Sequence, residues 1–371
     1  MTHSQRRAAL GAELRAAELD AMLVTDLVNV RYLSGFTGSN AALLVFADSD
    51  DAVLATDGRY RTQAAQQAPD LEVAIERACG RYLAGRAAAA KTRRVGFESH
   101  VVTVDGYDAL VASLVDADGG TELVRASQTV EALREIKDAG EVALLRLACE
   151  AADNALTDLV DRGELRPGRT EREVGRELEA LMLDHGADGI SFETIVASGA
   201  NSAIPHHRPT EAVLAPGDFV KIDFGALVGG YHSDMTRTFV LGKAGKAAAW
   251  QLEVYQLVVD AQRAGREALR PGADLRDVDA AARLVIADAG HGEHFGHGLG
   301  HGVGLQIHEA PGIGATAAGT LRAGSVVTVE PGVYLPERGG VRIEDTLVVA
   351  GETSGHAPEL LTRFPKELAI L

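Results

Sequence analysis

Residues 295–309, FGHGLGHGVGLQIHE, carry His297, His301 and His308 among closely spaced glycines. His291 and His294 lie just upstream, so five of the twelve histidines fall within eighteen residues. Neutral imidazole is a metal ligand or a proton carrier near pH 7. The local zinc patterns do not fit. HExxH needs a glutamate where Gly298 stands, and its longer form needs a histidine where Ile307 stands. A cysteine-built site is excluded, because Cys79 and Cys149 are the only cysteines and form no CxxC pair. Any metal must therefore draw ligands from other segments.

Two segments offer them. FVKIDFGALVGGYHSDMTRTFVL reads as a β-hairpin turning near Gly229 and Gly230. Pairing symmetric about Val228 and Gly229 sets Asp223 opposite Asp234. SVVTVEPGVYLPERGGVRIEDTLVV repeats the plan with Glu330 opposite Glu344. Opposed side chains on one sheet face lie ~5 Å apart, and like charges there are unfavourable unless a cation or proton intervenes. One strand acid alone would read as solvent-facing, and the alternation of Val220, Ile222 and Phe224 permits that for Asp223. Four acids at matched places in two hairpins favour a metal. Four carboxylates with one or two histidines make a hard, oxygen-rich set that two divalent ions would neutralise. Manganese or a similar ion suits it better than a structural zinc. Such a pair activates water and polarises a carbonyl, which is metal-assisted hydrolysis.

The elements that position these residues are duplicated. LRPGRTEREV from Leu165 matches LRPGADLRDV from Leu269, and each opens a helix that ends near a glycine, Gly186 or Gly290. LAPGDFVKID (214–223) matches LRAGSVVTVE (321–330). Residues 160–260 and 265–371 thus read as two copies of one α+β half, with a site between them. Ahead of them lies an α/β region. AMLVT, AALLVF, DAVLAT and RRVGFES read as strands, with SGFTGSN as the turn between the first two. A long helix is expected over 131–160, and the domain boundary near 125–135. No Gly-x-Gly-x-x-Gly phosphate loop follows any of these strands.

A net charge of -17 repels phosphate backbones and anionic lipid, which argues against nucleic-acid and membrane partners. The first 24 residues read as an amphipathic helix without the apolar run of a leader, and no window matches a membrane helix, so a cytoplasmic protein is expected.

Five ordered segments carry a resemblance: SGANSAIPHHRP, VKIDFGALVGGYHSDMTRT, FGHGLGHGVGLQIHE, TVEPGVY and RIEDT. The chain resembles the pita-bread metallopeptidases (M24), in the Xaa-Pro peptidase branch of aminopeptidase P and prolidase. NVRYLSGFTGSNA and TDGRYRTQA are similar to the creatinase-type N-terminal domain of that branch. The resemblance implies an α+β pita-bread catalytic domain over 131–371, with an internal pseudo-two-fold repeat and a curved antiparallel sheet. A smaller α/β creatinase-like domain over 1–130 would precede it. It implies metal ligands Asp223, Asp234, His301, Glu330 and Glu344, with Asp234 and Glu344 bridging two ions. Manganese is expected, with cobalt or zinc compatible. A metal-bridging hydroxide would cleave the Xaa-Pro bond, with Glu330 as proton shuttle. His206 and His308 would contact the substrate and stabilise the tetrahedral intermediate, His297 would shape the proline pocket, and Arg342 would orient a carboxylate. His207, His232, His291 and His294 receive no role. A homodimer acting on proline-containing peptides is expected. A methionine-type aminopeptidase, a metal-free creatinase-like hydrolase and a non-catalytic binding protein on the same fold are the alternatives.

Overall fold

The computed structural model describes residues 1–115, 120–242, 246–351 and 357–371. The chain divides into two compact units, Met1–Arg134 and Glu135–Leu371.

The first unit is built on strands β1 (Ala21–Val24), β2 (Ala41–Phe46), β3 (Ala52–Thr56), β4 (Glu72–Ile75), β5 (Arg94–Phe97) and β6 (Glu122–Arg125), ordered β4-β3-β2-β1-β5-β6 in one mixed sheet. Its helices are α1 (His3–Ala16), α2 (Leu27–Ser34), α3 (Arg61–Gln67), α4 (Cys79–Ala89), α5 (Val104–Val115) and α6 (Thr129–Arg134). Leu23, Leu44, Val53, Leu83 and Val95 pack into its core. Helix α2 corrects the sequence reading, which put only a turn between β1 and β2. The Asp26 carboxylate caps α2 by accepting from the backbone of Val28 and Asn29, and Gly35 ends it at φ 78°.

The expected long helix over 131–160 is also interrupted. Helix α6 stops at Arg134, and α7 (Ala139–Asp161) restarts behind an Asp138–Glu141 capping box.

The second unit holds the duplication. After α7 come α8 (Glu171–Asp184), β7 (Gly189–Ile190), β8 (Ile195–Ser198), β9 (Phe219–Phe224), β10 (Ala226–Val228), β11 (Tyr231–His232) and β12 (Met235–Val240). The second half contributes α9 (Ala249–Ala268), α10 (Leu275–Asp288), β13 (Gly300–Gly302), β14 (Glu309–Ile313), β15 (Val326–Val329), β16 (Gly332–Leu335), β17 (Gly339–Arg342), β18 (Asp345–Val348) and β19 (Glu359–Leu360). Helices α8 and α10 each run 14 residues. Val174, Leu178, Leu181 and Met182 form the buried stripe of one, and Leu275, Val278, Ala282 and Ile286 that of the other. Both end at a left-handed glycine, Gly186 or Gly290.

The entry loops match bond for bond. Gly168 N–H donates to Leu214 O and Leu214 N–H to Arg169 O; Gly272 N–H donates to Leu321 O and Leu321 N–H to Ala273 O. Each half keeps its own core, one centred on Leu178, Ile222 and Phe224, the other on Val278, Val329 and Val341. Each copy begins one helix earlier than the motifs alone indicated, since α7 and α9 belong to the two halves. The sheets are antiparallel, β12-β9-β8 in the first half and β14-β13-β15-β18-β19 in the second. They meet where Glu344 N–H donates to Thr236 O and Thr238 Oγ1 donates to Arg342 O.

Both cysteines are free and buried. Among the described residues, no helix is long and apolar enough to cross a membrane.

The matched caps give a paired expectation. Thr170→Ala and Asp274→Ala each remove the side chain that caps the first turn of α8 or α10. Each is expected to cost about 1 kcal/mol in chemical denaturation. A change below about 0.3 kcal/mol at both sites would show that these ends are held by the surrounding turns alone.

Candidate metal centre

Both acid-bearing hairpins are interrupted beside their acids, the first at Asp234 and the second at Glu330 and Glu344. Strand β9 pairs with β12, and β10 with β11, in one continuous register: Phe224 faces Met235, and Val228 faces Tyr231. The two-residue turn is Gly229–Gly230, at φ 57° and 84°, which only glycine adopts freely twice in succession. This corrects the expected pairing. Asp223 lies opposite Thr236, and Asp234 is two positions back along the same face. The two carboxylates are diagonal neighbours rather than direct partners. The solvent-facing alternative for Asp223 also falls away: β9 is buried along its whole length, and Asp223 is 7% exposed. In the second hairpin the register brackets the acids. Val329 faces Asp345 and Gly332 faces Arg342, which leaves Glu330 across from Glu344 in the gap between the ladders, as expected.

The histidine loop crosses this gap. Strand β13 lies between β14 and β15, so its backbone runs hard against both. A Cβ on Gly300 would strike the Thr328 carbonyl, and one on Gly302 the Ala310 carbonyl. The loop needs glycines here because of that approach. His301 N–H donates to Thr328 Oγ1 at 3.0 Å, and its Nδ1 donates to Gly302 O at 3.0 Å. That bond fixes the ring and leaves Nε2 aimed at the acids, 3.5 Å from Asp234 Oδ2 and 3.6 Å from Glu330 Oε1.

Ligand atoms of Asp234, His301 and Glu344 lie within 4.8 Å of one another. Asp223 and Glu330 fall outside that tightest group but line the same cavity of about 260 Å³, with His206, His207, Arg208, Glu193 and His308. His308 sits against His301 with ring centroids 4.4 Å apart. His297 does not line the cavity. It lies behind Tyr334, whose O–H donates to His297 Nε2 at 2.8 Å. Arg342 is also behind the wall, 2% exposed. It donates to Asp223 Oδ2, to Thr236 Oγ1 at 3.0 Å and to Tyr334 Oη at 2.9 Å.

The electrostatics describe a site built for a cation. Burial raises Asp234 to about 6 and Glu330 to about 7, and burial with three neighbouring acids pushes Glu344 well above the carboxylate range. His301 is raised to about 9: burial opposes its charge, but Asp234 and Glu330 outweigh it. Among the described residues, Asp223 Oδ1 is buried with no hydrogen-bond partner. An unpartnered buried carboxylate oxygen beside crowded acids and a histidine fits a divalent ion, which would replace the protons these groups otherwise hold.

Several supporting residues gave no signal in the sequence. Thr236 donates to Glu344 Oε2 at 2.7 Å, and Thr346 to the Asp234 carbonyl at 2.8 Å. Asp279 of α10 accepts from Leu299 N–H at 3.0 Å and from Arg283, which in turn donates to the His297 carbonyl, so α10 pins the histidine loop. His207 is not idle: its Nε2 is 2.8 Å from Glu171, a buried carboxylate that also accepts from Ser198, Asn201 and Thr210.

The profile of metallopeptidase family M24 matches residues 143–351, and that of the creatinase/prolidase N-terminal domain matches residues 6–136. The chain belongs to metallopeptidase family M24. It is 34% identical to the Xaa-Pro dipeptidase of Pyrococcus furiosus over 94% of this chain and 95% of that one. The solved Xaa-Pro dipeptidase from Bacillus anthracis superposes with a TM-score of 0.91 at 38% identity, covering 100% of both chains. The X-Pro aminopeptidase from Thermotoga maritima gives 0.86 at 32% identity, covering 97% of this chain and 100% of that one. The fold is therefore a creatinase N-terminal domain followed by the M24 catalytic domain. Family M24 is metal-dependent, and Asp234, His301 and Glu344 offer this chain a candidate metal site.

Two outcomes follow for the metal-free M24 protein. Asp234, Glu330, Glu344 and His301 all hold protons to higher pH when folded than when unfolded. Each raised group stabilises the fold below its unfolded value and loses that contribution as pH climbs through its folded value. Thermal stability of the chelated protein should therefore fall between about pH 5 and 9, and added metal should restore most at the alkaline end. Scanning calorimetry with and without chelator reads this; a chelated protein whose Tm rises over that range would contradict it. Thr236→Val keeps the shape but removes the donor to Glu344. It should weaken metal affinity by roughly 10–100-fold in a competition titration.

Proposed function

We propose that the protein hydrolyses the Xaa-Pro bond at the N-terminus of dipeptides or short peptides. Asp223, Asp234, His301, Glu330 and Glu344 would hold two divalent ions, manganese first. The observation that carries the reading is the convergence of Asp234, His301 and Glu344 within 4.8 Å on a cavity that Asp223, Glu330, His206 and His308 also line. The names of the relatives, Xaa-Pro dipeptidase and X-Pro aminopeptidase, support the substrate class. A cavity of about 260 Å³ is below the ~300–1,000 Å³ of drug-sized ligand sites, which suits a small peptide end.

Bound ions would lower the pKa of a water and polarise the scissile carbonyl. The chain's own residues do the rest. Glu330, held near 7 before metal binds, accepts the proton of the attacking water and returns it to the proline nitrogen. His206 and His308 donate to the carbonyl oxygen as it gains charge. Burial lowers the His308 pKa, with the His301 charge next, so its neutral ring keeps one N–H to donate. His297 stays neutral at about 4, because burial and then the Arg342 charge disfavour its protonation; it braces Tyr334 from behind the wall. Proline requires a dedicated pocket because its tertiary amide lacks an N–H and its ring fixes φ. Arg342 orients Asp223. The catalytic unit spans 131–371, behind the creatinase-like domain of 1–130, and the enzyme acts as a cytoplasmic homodimer.

A metal-free hydrolase on this fold would leave three crowded acids and Asp223 Oδ1 uncompensated. A non-catalytic protein would have no use for either feature.

Hydrolysis of Ala-Pro and Ala-Pro-Ala, with added manganese and after chelation, tests the proposal. Activity is expected on at least one peptide, and activity that survives thorough chelation would sink the metal role. His301→Ala should lose metal and activity together. His308→Ala should keep its metal and lose about 10²–10³-fold in kcat. Metal loss from His308→Ala would reverse the two assignments.

A further inference from the structure

Lys221 lies in the middle of β9, two residues before Asp223, with no exposed surface. Its Nζ donates to the carbonyls of Ile204 at 2.6 Å and Pro205 at 3.2 Å, the two residues that precede His206. It also lies 5.1 Å from the centroid of the Tyr334 ring. The Pro205 carbonyl has a second donor, Arg342 Nη1 at 3.2 Å, from the same guanidinium that holds Asp223. The approach to His206 is clamped further upstream, where Ser202 Oγ donates to Gly199 O and accepts from Gly340 N–H. On the far side His207 is tied to Glu171. The His206 side chain itself is exposed to the cavity and makes no hydrogen bond among the described residues.

An amine is costly to bury, and an aliphatic residue would fill this strand position without that desolvation. Val220 and Ile222 do so on either side. Two N–H groups on Nζ satisfy both carbonyls whether or not the amine carries a charge. From this we infer that Lys221 is a positioning residue: by holding the carbonyls of Ile204 and Pro205 it fixes the backbone from which His206 reaches the substrate. Through Pro205 and Arg342 it also ties that histidine to Asp223. The assignment rests on the reading of His206 as a substrate contact.

A double-mutant cycle on the full-length enzyme with manganese and Ala-Pro (or Ala-Pro-Ala, whichever is cleaved) tests it. Lys221→Met keeps the aliphatic stem and removes the donors. It should lower kcat/KM by roughly 10–100-fold, mostly in kcat, with metal content unchanged. In a His206→Ala background the same change should cost less than about 2-fold, because the group it positions is gone. Lys221→Gln, which retains N–H donors, should recover part of the loss. Equal fractional losses in both backgrounds, or a loss under about 2-fold in the parent enzyme, overturn the assignment. If Lys221→Met does not fold, Lys221→Gln completes the cycle, and failure of both to fold makes Lys221 a stability residue and overturns it as well. A His206→Ala enzyme as active as the parent overturns the reading of His206 itself, and the assignment falls with it. An impaired His206→Ala enzyme with additive loss overturns the positioning role alone.

Discussion

Four carboxylates from two hairpins converge on one cavity, and the remaining architecture has to tolerate their repulsion. Asp223, Asp234 and Glu344 are all below 9% exposed, so water does little to screen them. Among the described residues, the cations that reach them are Arg342, on Asp223 and 3.9 Å from Glu330, and His301, beside Asp234 and Glu330. That is too little to offset burial, so Asp234, Glu330 and Glu344 cling to protons. A separate buried network keeps the neighbouring acid out of the cluster: Asp345 is paired with Arg237 at 2.9 Å and Lys366 at 2.6 Å, and these hold it below the usual carboxylate range against burial. Adjacent acids, Glu344 and Asp345, are thus sent to opposite fates by which cations lie within reach. The site compensates its acids only in part, a deficit that a divalent ion would relieve.

Duplication explains how such a cluster can be assembled without unfolding either half. Each half has an independent core, so the strain is confined to the seam where β12 meets residues 342–344. The ladder is broken at Asp234 in the first hairpin and at Glu330 and Glu344 in the second, which frees the backbone there to bond elsewhere. Glu330 N–H goes to Leu299 O and Glu344 N–H to Thr236 O. The halves have diverged at this point. The first places its acids diagonally, the second directly across, and only the second supplies a histidine to the cluster. The second hairpin has β13 paired beside its first strand, and β13 carries that histidine.

Much of this was legible in the residues. The paired LRPG and acid-ended blocks revealed the repeat because a left-handed glycine and a helix cap leave a local imprint on sequence. The identity of the acids was equally plain, since carboxylates in apolar strands are conspicuous. The register of the first hairpin was available too. Gly229–Gly230 between apolar strands signals a two-residue turn and so fixes Val228 opposite Tyr231; symmetry about Val228 and Gly229 ignored that rule. What stayed hidden depends on contacts distant in the chain. Thr236 touches Glu344 across 108 positions, and Lys221 reaches Ile204 from an adjacent strand. A buried lysine alternating with apolar residues looks like any solvent-facing lysine. Helix α2 was missed for a different reason: at 8 residues it is too short to establish a helical period, and its Asp26 and Gly35 caps are the stronger clue.

The two glycine-flanked histidines show where local sequence stops being informative. His297 and His301 each sit in Gly-His-Gly, and each donates Nδ1–H to the carbonyl of the following glycine, at 2.8 and 3.0 Å. The shared bond selects the same tautomer and turns Nε2 toward other partners in both. Yet His297 is held down to about 4 and His301 is lifted to about 9. Both are half-buried, so burial cannot make the difference. His301 Nε2 faces Asp234 and Glu330, whereas His297 Nε2 faces a tyrosine hydroxyl backed by Arg342. One ring holds a proton that a metal ion would displace, and the other is a neutral acceptor that braces the wall. An identical tripeptide thus yields a candidate ligand or a strut according to the sign of the charge across from it, and that sign is set by strands that join the loop only in the folded chain.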